Sequence, residues 1–411
     1  MIDSSATLTI ASIAAGGDGV GRAEGVVVFV PRTAPGDVAR VRIARTKRFA
    51  RGELLQLEAP SPARVDPPCH HYTADRCGGC QLQHLGYEAQ LAAKRTIIGD
   101  ALRRIGRRDV PDPEVEPSDA HWRYRRKLTL HLRRTGAGWI AGLHPYDDPV
   151  GVFDLADCPI TEERVLDVWR ELRGAFDALP AEDALRVAVR LLEDGAAVTV
   201  EGGRVWRTAD RFFAAAPSLL ELWWRPDEGA TRRVASRSVE SRAGAAFVQV
   251  NARVAARIHA EVMTRARAHA PARLVDAYAG SGDTAIPLAE DGRTVVAIEL
   301  DRAAADTMRA RLVPPSSVIS GRVEDHLERV LPADVVILNP PRAGLDSRVT
   351  DALERHRASL RALFYVSCDP ATLARDLARL PGYRLVSVRG YDMFPQTAHV
   401  ETLCELEPIA S

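Results

Sequence analysis

Apolar positions between residues 1 and about 60 come in short alternating runs, at 6–13, 25–30, 37–44 and 52–57, cut by Gly16-Gly17, Gly19, Gly21 and Pro35-Gly36. Period-two runs of this length with turn residues between them predict a small β-barrel. Pro60, Pro62, Pro67 and Pro68 then break regular structure and mark a boundary. From 61 to about 245 the pattern is mixed, with helical spacing at 85–102 and 161–179 and strand-like runs at 128–132 and 185–192, which predicts an α+β middle domain. From 246 to 411, apolar runs at 273–278, 294–299, 318–320, 334–338 and 363–366 alternate with helical stretches, and 384–388 and 400–406 follow with little but loop between them. Five strand-plus-helix repeats predict a doubly wound parallel sheet, so the fold class is α/β with domains 1–60, 61–245 and 246–411.

Ligands of such sheets bind beyond the carboxyl ends of the strands, which directs attention to Tyr278, Glu299, Asn339 and Cys368. After the first strand of this domain comes Asp276-Ala-Tyr-Ala-Gly280-Ser-Gly282-Asp283, where two glycines let backbone approach a ligand before a helix starting near Asp283. Glu299, nineteen residues after Gly280, is placed to accept from ribose hydroxyls. An adenosine cofactor fits both features, and Gly280-x-Gly282-x-x-Ala285 also satisfies a loose dinucleotide fingerprint. The fourth strand ends Asn339-Pro340-Pro341-Arg342. Hydride transfer does not need this loop, and it resembles the one by which S-adenosylmethionine methyltransferases hold their cofactor beside a target base, so methyl transfer is favoured.

Cys368 sits in Ser367-Cys368-Asp369-Pro370, just before a helix with Asp369 as N-cap and Pro370 as first residue. Unpaired amides there favour a thiolate, which makes Cys368 a candidate nucleophile. Beside a methyl donor, a cysteine nucleophile suits pyrimidine C5: addition at C6 gives an enolate whose C5 can take the methyl group, and a base must then remove the C5 proton. Glu401, with His399 as a second titratable group, is the candidate base.

Composition narrows the setting more than the chemistry. The 55 basic and 55 acidic residues cancel, so a nucleic-acid surface has to come from clusters. One is Arg40, Arg42, Arg45, Lys47, Arg48 and Arg51; another is the stretch 123–134, opening with Trp122-Arg123-Tyr124-Arg125-Arg126-Lys127, where aromatics interleave with cations. No leader or membrane segment is evident, which suggests a reducing cytoplasm, and the six cysteines are then expected to be ligands, nucleophiles or core residues. Cys69, Cys77 and Cys80 stand close together with Cys158 as a fourth donor. Their spacing suits zinc, with Cys158 or one of His70, His71 and His84, as well as an iron–sulfur cluster.

With these motifs assembled, the chain resembles the RNA uridine-C5 methyltransferase family over nearly its whole length. The resemblance rests on the TRAM-like barrel, Cys77-Gly-Gly-Cys80-Gln-Leu-Gln-His84, Phe247-x-Gln249-x-Asn251, the glycine turn, Asn-Pro-Pro-Arg, Ser-Cys-Asp-Pro and the Phe394-Pro-x-Thr-x-His-x-Glu401 tail. It implies a Rossmann-like methyltransferase sheet, Cys368 as nucleophile, and Glu401 as base. It also implies Gln249, Tyr278, Glu299, Asn339 and, more weakly, Asp283 around S-adenosylmethionine. A [4Fe-4S] cluster on Cys69, Cys77, Cys80 and Cys158 is implied in preference to zinc, and a ribosomal or transfer RNA as substrate. Many members of the family carry Asp where this chain has Asn339. A neutral amide still hydrogen-bonds but brings no negative charge near a sulfonium. No obligate protein partner is expected. A nicotinamide-dependent oxidoreductase and a noncatalytic, metal-stapled RNA-binding protein are the rival readings.

Overall fold

The computed structural model describes residues 4–45, 49–192, 194–237 and 249–410. The N-terminal unit is a curled six-stranded sheet of β1 (Ser4–Thr9), β2 (Ser12–Ile13), β3 (Gly19–Ala23), β4 (Val26–Val30), β5 (Val38–Arg45) and β6 (Ala50–Ala59), in the order β1-β5-β6-β4-β3-β2. Alternation sends Val28, Val30, Val41 and Ile43 into its core. The expected run at 6–13 divides into two strands, and β3 lies where the glycines had been read only as separators. Gly19 and Gly21 are needed there, because a Cβ would come within 2.1 Å of Thr33 Oγ1 and 2.4 Å of Leu8 Cδ1.

The chain then passes through α1 (His70–Thr73) and α2 (Tyr87–Arg104) to the two-residue β7 (Val115–Glu116). A seven-stranded sheet follows: β8 (Lys127–Thr135), β9 (Gly138–Leu143), β10 (Phe153–Asp154), β11 (Ala184–Leu191), β12 (Ala196–Glu201), β13 (Leu219–Arg225) and β14 (Arg232–Ser236), ordered β10-β9-β8-β11-β12-β13-β14. One face packs on α3 (Glu163–Arg173) and α4 (Ala209–Ala214) through Trp169, Phe212 and Trp224. The other face carries Lys127, His131, Arg133 and Arg186, with His131 opposite Arg186 across the β8–β11 ladder.

The C-terminal unit begins with α5 (Ala252–Ala268) and alternates β15 (Arg273–Ala277), α6 (Ala285–Glu290), β16 (Thr294–Glu299), α7 (Arg302–Arg309), β17 (Ser317–Ser320), α8 (Val323–Val330), β18 (Val335–Leu338), α9 (Ser347–Arg355), β19 (Ala362–Ser367) and α10 (Pro370–Leu377). It closes with β20 (Tyr383–Tyr391) and β21 (Glu401–Pro408). The eight-stranded order is β17-β16-β15-β18-β19-β21-β20-β7, parallel from β17 to β19, with β21 inserted antiparallel beside β19. The β15, β16, β18 and β19 strands are buried on both faces, which is why they read as unbroken apolar runs, while the edge strand β17 is only partly covered. Among the described residues no helix is long and apolar enough to cross a membrane.

One feature cuts across the expected segment 61–245. β7 joins the C-terminal sheet beside β20, and α2 packs on α10, with Leu91, Ile98 and Leu102 in the same core as Val275 and Tyr365. Residues 87–116 thus lie with the C-terminal sheet, although more than 130 residues separate them from it in the chain. Periodicity reports an element's type and not its partner.

Candidate active site

Parallel strands that end at one edge put their following residues side by side. Tyr278, Glu299, Asn339 and Cys368 all leave the sheet at that rim, after β15, within the last turn of β16, after β18 and after β19. The β19–β21 register pairs Ser367 with Thr402, so the next step sets Cys368 opposite Glu401, the first residue of β21. Two candidates from distant motifs thereby meet.

The glycine turn is built by its own backbone. Tyr278 has φ 63°, Gly280 φ 56° and Gly282 φ 87°, three left-handed residues in five. A Cβ on Gly280 would meet nothing within 4 Å, whereas one on Gly282 would come within 2.9 Å of Ile286 and Met308. Gly280 leaves room above the turn, and Gly282 lets the turn sit on its helix. The Glu299 carboxylate braces this geometry, accepting from Gly280 N–H at 2.7 Å and Asp301 N–H at 2.7 Å. Underneath, Thr284 Oγ1 donates to the buried Asp276, whose carboxyl burial pushes up to about 7. The helix starts at Ala285, two residues later than expected, because Thr284 takes the N-cap position. Asp283 is exposed there, 3.9 Å from His259 Nδ1. Gln249 is half-buried two residues before Asn251, the N-cap of α5. Phe247 of the same motif falls outside the described residues.

At the other half of the rim, burial first, and then the Glu401 and Asp369 charges, raise the Cys368 thiol above its ordinary value, while Arg342 pulls it down and is within hydrogen-bonding reach. The expected gain in thiolate from the helix N-terminus is therefore corrected. Asp369 caps α10 through Thr372 N–H at 2.9 Å, and its own negative charge offsets the amide dipoles beside the sulfur. Glu401 is 5% exposed, and burial raises its carboxyl to about 7, opposed by Arg342. A carboxylate of that strength is a competent proton acceptor near neutrality. His399 is held below the ordinary imidazole value by burial and by Arg342, Lys94 and Arg125. Arg342 is the functional candidate that the sequence reading quoted and left without a role. Its position beside both the thiol and the carboxylate follows from strand neighbours, for which one strand's sequence carries no signal.

Three of the four clustered cysteines are 7% exposed, and Cys158 faces them across a cavity of about 110 Å³ also lined by Tyr72, Gln83, Arg125 and Ile160. All six cysteines are free thiols. Among the described residues, no three of the clustered sulfurs lie within 4.8 Å of one another. A single zinc would draw four sulfurs to about 3.8 Å apart at its usual bond length. His71 is engaged at both nitrogens, by Asp75 at 2.7 Å and by Ala156 N–H at 3.1 Å, and His84 Nδ1 is bonded to Tyr72 at 2.7 Å. Wide thiol spacing around a cavity fits a polynuclear cluster better than one ion. Gly79 N–H donates to Cys77 Sγ at 3.4 Å and Gln83 bonds the Cys80 sulfur, hydrogen bonds of the kind that steady a metal ligand.

The aromatic-cation stretch at 122–127 is divided. Tyr124 is buried and donates to Pro395 O at 3.0 Å, whereas Arg123 is exposed and binds Asp157, Cys158 O and Thr161 O, and Trp122, Arg125, Arg126 and Lys127 are half-buried. Tyr124 is a core residue and not a stacking platform. In the barrel, Arg40 holds Gln56, Arg42 holds Glu53 and Arg51 lies 3.6 Å from Asp18, while Lys47 and Arg48 lie outside the described residues.

A doubly wound sheet with one reversed strand, a cofactor-sized glycine turn and a cysteine–glutamate pair at its rim define a Rossmann-like methyltransferase. Comparison with known proteins agrees. The tRNA (Uracil-5-)-methyltransferase family profile matches residues 322–408 and the TRAM domain profile matches 6–55. An RNA methyltransferase of Protochlamydia amoebophila is 32% identical over 97% of each chain, and the 23S rRNA (uracil(1939)-C(5))-methyltransferase RlmD of Pseudomonas putida is 30% identical over 97% of this chain and 93% of its own. The crystal structure of Pyrococcus abyssi tRNA (uracil-54, C5)-methyltransferase in complex with S-adenosyl-L-homocysteine shares the fold, with a TM-score of 0.70 and 23% identity over 98% of this chain and 100% of that one. The chain belongs to the RNA uracil-C5 methyltransferase family.

Proposed function

We propose that this protein methylates uridine C5 in a ribosomal or transfer RNA, with Cys368 as covalent nucleophile and Glu401 as general base. The observation that carries the reading is the thiol facing the carboxylate across the β19–β21 ladder, both beside Arg342 and on the same rim as the glycine turn. S-adenosylmethionine supplies a methyl group on a sulfonium when bound; Glu299 and the Gly280 turn would hold its ribose side, with Gln249, Tyr278, Asn339 and Asp283 as further contacts. The Cys368 sulfur, after losing its proton, bonds to C6, and the C5=C6 electron pair moves onto the O4 enolate. Once C5 carries the methyl group, Glu401 takes the C5 proton, the C–H pair re-forms C5=C6, and the sulfur leaves as thiolate. Arg342 lowers the cost of negative charge on either partner.

A stacked uracil hides C6 from a thiol, so the target is a loop nucleotide or one swung out of the helix. Cations lead outward from the rim. His399 feels Arg125, Arg125 acts on Lys127, and Lys127 neighbours Arg186 on the open face of the central sheet, with Arg190 buried beside it. These, with the TRAM-like barrel, supply a surface for the RNA backbone.

The cysteines Cys69, Cys77, Cys80 and Cys158 are assigned to a [4Fe-4S] cluster, supported by four thiols around one cavity with no three of them within 4.8 Å of one another. The chemistry above needs no electron from it. Anaerobic purification with iron and sulfide analysis is expected to give about four of each per chain; one zinc and no sulfide would end this assignment. The division into domains 1–60, 61–245 and 246–411 is kept for the sheets, with 87–116 placed against the last.

The deciding experiment is RNA containing 5-fluorouridine, whose C5 fluorine the base cannot remove. An adduct mapped to Cys368 is expected. No adduct, with cofactor and RNA shown to bind, would overturn the mechanism.

A further inference from the structure

Lys94 on α2 is fully buried, as is its partner Asp392. Its ammonium binds Asp392 Oδ1 and donates to Phe394 O at 3.0 Å. Asp392 Oδ2 accepts from Tyr87 O–H at 2.8 Å, and that same phenol oxygen accepts from Ser118 N–H at 2.8 Å. A buried ion pair is seldom better for stability than apolar residues of the same volume. What it provides is one fixed geometry, and here the fixed object is the loop 392–400, which joins β20 to β21 and delivers His399 and Glu401.

The loop is held along its length by residues far away in the chain. Gln90, one turn before Lys94, donates to Gln396 Oε1 at 2.9 Å and accepts from Gln396 N–H at 2.9 Å. Gln396 has φ 70°, a left-handed conformation that a side chain of this kind adopts only under restraint. Leu82 N–H donates to Gln396 O at 2.9 Å. Asn251 Nδ2 reaches Met393 O at 3.4 Å. Of these holds, only Lys94 brings a charge, and it is near enough to His399 to shift it.

We propose that Lys94 is a positioning residue for proton abstraction: through the Asp392 carboxylate and the Phe394 carbonyl it fixes the loop that places Glu401 against the substrate C5. The inference rests on the proposed roles of Cys368 and Glu401. Lys94 touches none of the reacting atoms. If Glu401 is displaced, C6–S bond formation and methylation at C5 still occur, but the C5 proton stays, C5=C6 does not re-form and the sulfur remains bonded to C6. A base-positioning defect therefore accumulates enzyme–RNA adduct on ordinary uridine.

The test uses the full-length holoenzyme, an RNA of ordinary uridine and S-adenosylmethionine, with Lys94→Met, Asp392→Asn and, for comparison, Glu401→Gln. A shift of the base by about an ångström costs turnover about 10²-fold. We expect that loss in kcat for both Lys94→Met and Asp392→Asn, KM for RNA and cofactor within about threefold of wild type, and a denaturation-stable adduct like that of Glu401→Gln. If Lys94→Met fails to fold, the shape-preserving Asp392→Asn decides. Normal turnover in the folded variants, or lost turnover without adduct, overturns the proposal. A wild-type enzyme that gives no adduct with 5-fluorouridine RNA overturns the nucleophile reading itself, and is told apart because it precedes any substitution.

Discussion

The two halves of the sheet rim are built on opposite plans. The cofactor half, from β15 to β17, is self-contained: Glu299 braces Gly280 nineteen residues away and Thr284 holds Asp276 eight residues away. The catalytic half, from β18 to β21, is held from outside. Lys94 reaches Asp392 across 298 positions, Gln90 reaches Gln396 across 306, and Gln81 Oε1 accepts from Ala398 N–H across 317. A glycine turn can be specified locally because backbone dihedrals do most of its work. A thiol and a carboxylate have to be aimed at one carbon, and two strand ends joined by a nine-residue loop do not hold that aim unaided.

If the catalytic half is a side-chain device, its members fail by many orders of magnitude and the cofactor half fails by fewer. The largest effect is expected for Cys368→Ala, at least about 10⁴-fold in turnover with RNA affinity retained, read by single-turnover methylation and filter binding. Glu401→Gln comes next, about 10²–10⁴-fold, with adduct accumulating on ordinary uridine in denaturing gels.

The pH profile sharpens the same point. Glu401 must be ionised to act, so wild-type turnover should rise as pH climbs through about 7. The raised Cys368 thiol adds a second, more alkaline rise. Only the first should vanish in Glu401→Gln. Stability runs the other way. A carboxyl raised from 4.5 to about 7 in the folded protein stabilises it when protonated and loses that contribution as pH rises across this window. Glu401→Gln should thus melt higher than wild type at pH 8, by up to about 3 kcal/mol of stability, in a thermal melt followed by circular dichroism.

On the cofactor half, Gly280→Ala meets open space but a left-handed φ of 56°. A cost of about 1–2 kcal/mol should appear as roughly tenfold weaker S-adenosylhomocysteine binding by calorimetry, with kcat at saturation little changed. A collapse of kcat instead would show that the two halves are not separable. The smallest effect is expected for Asn339→Asp, which should keep or improve methylation. A large loss would mean that this site depends on its neutral amide.

Legibility followed the same division. β15, β16, β18 and β19 were readable because strands buried on both faces announce themselves as apolar runs, and their order fixed which residues share the rim. β9, β12, β13 and β14 were not picked out, since short strands in which Gly, Thr, Glu or Arg interrupt the apolar positions give a weaker signal than an unbroken run. The stretch 122–127 read as a nucleic-acid surface from residue type alone; burial takes Tyr124 out of that surface and leaves its cations half-buried or exposed.

Residue types and local spacing pointed on their own to the α/β class, the glycine turn with its acidic partner, a cysteine before a capped helix and the group Cys69, Cys77 and Cys80. The last three are short-range arrangements, each written within about twenty positions. Tertiary structure alone decided that Arg342 stands beside both Cys368 and Glu401, that burial outweighs the helix's help to the thiol, that no three of the clustered sulfurs come within 4.8 Å of one another, and that α2 reaches under the loop 392–400. Those are distances between segments remote in the chain, and they exist only once burial of the apolar faces has chosen which surfaces meet.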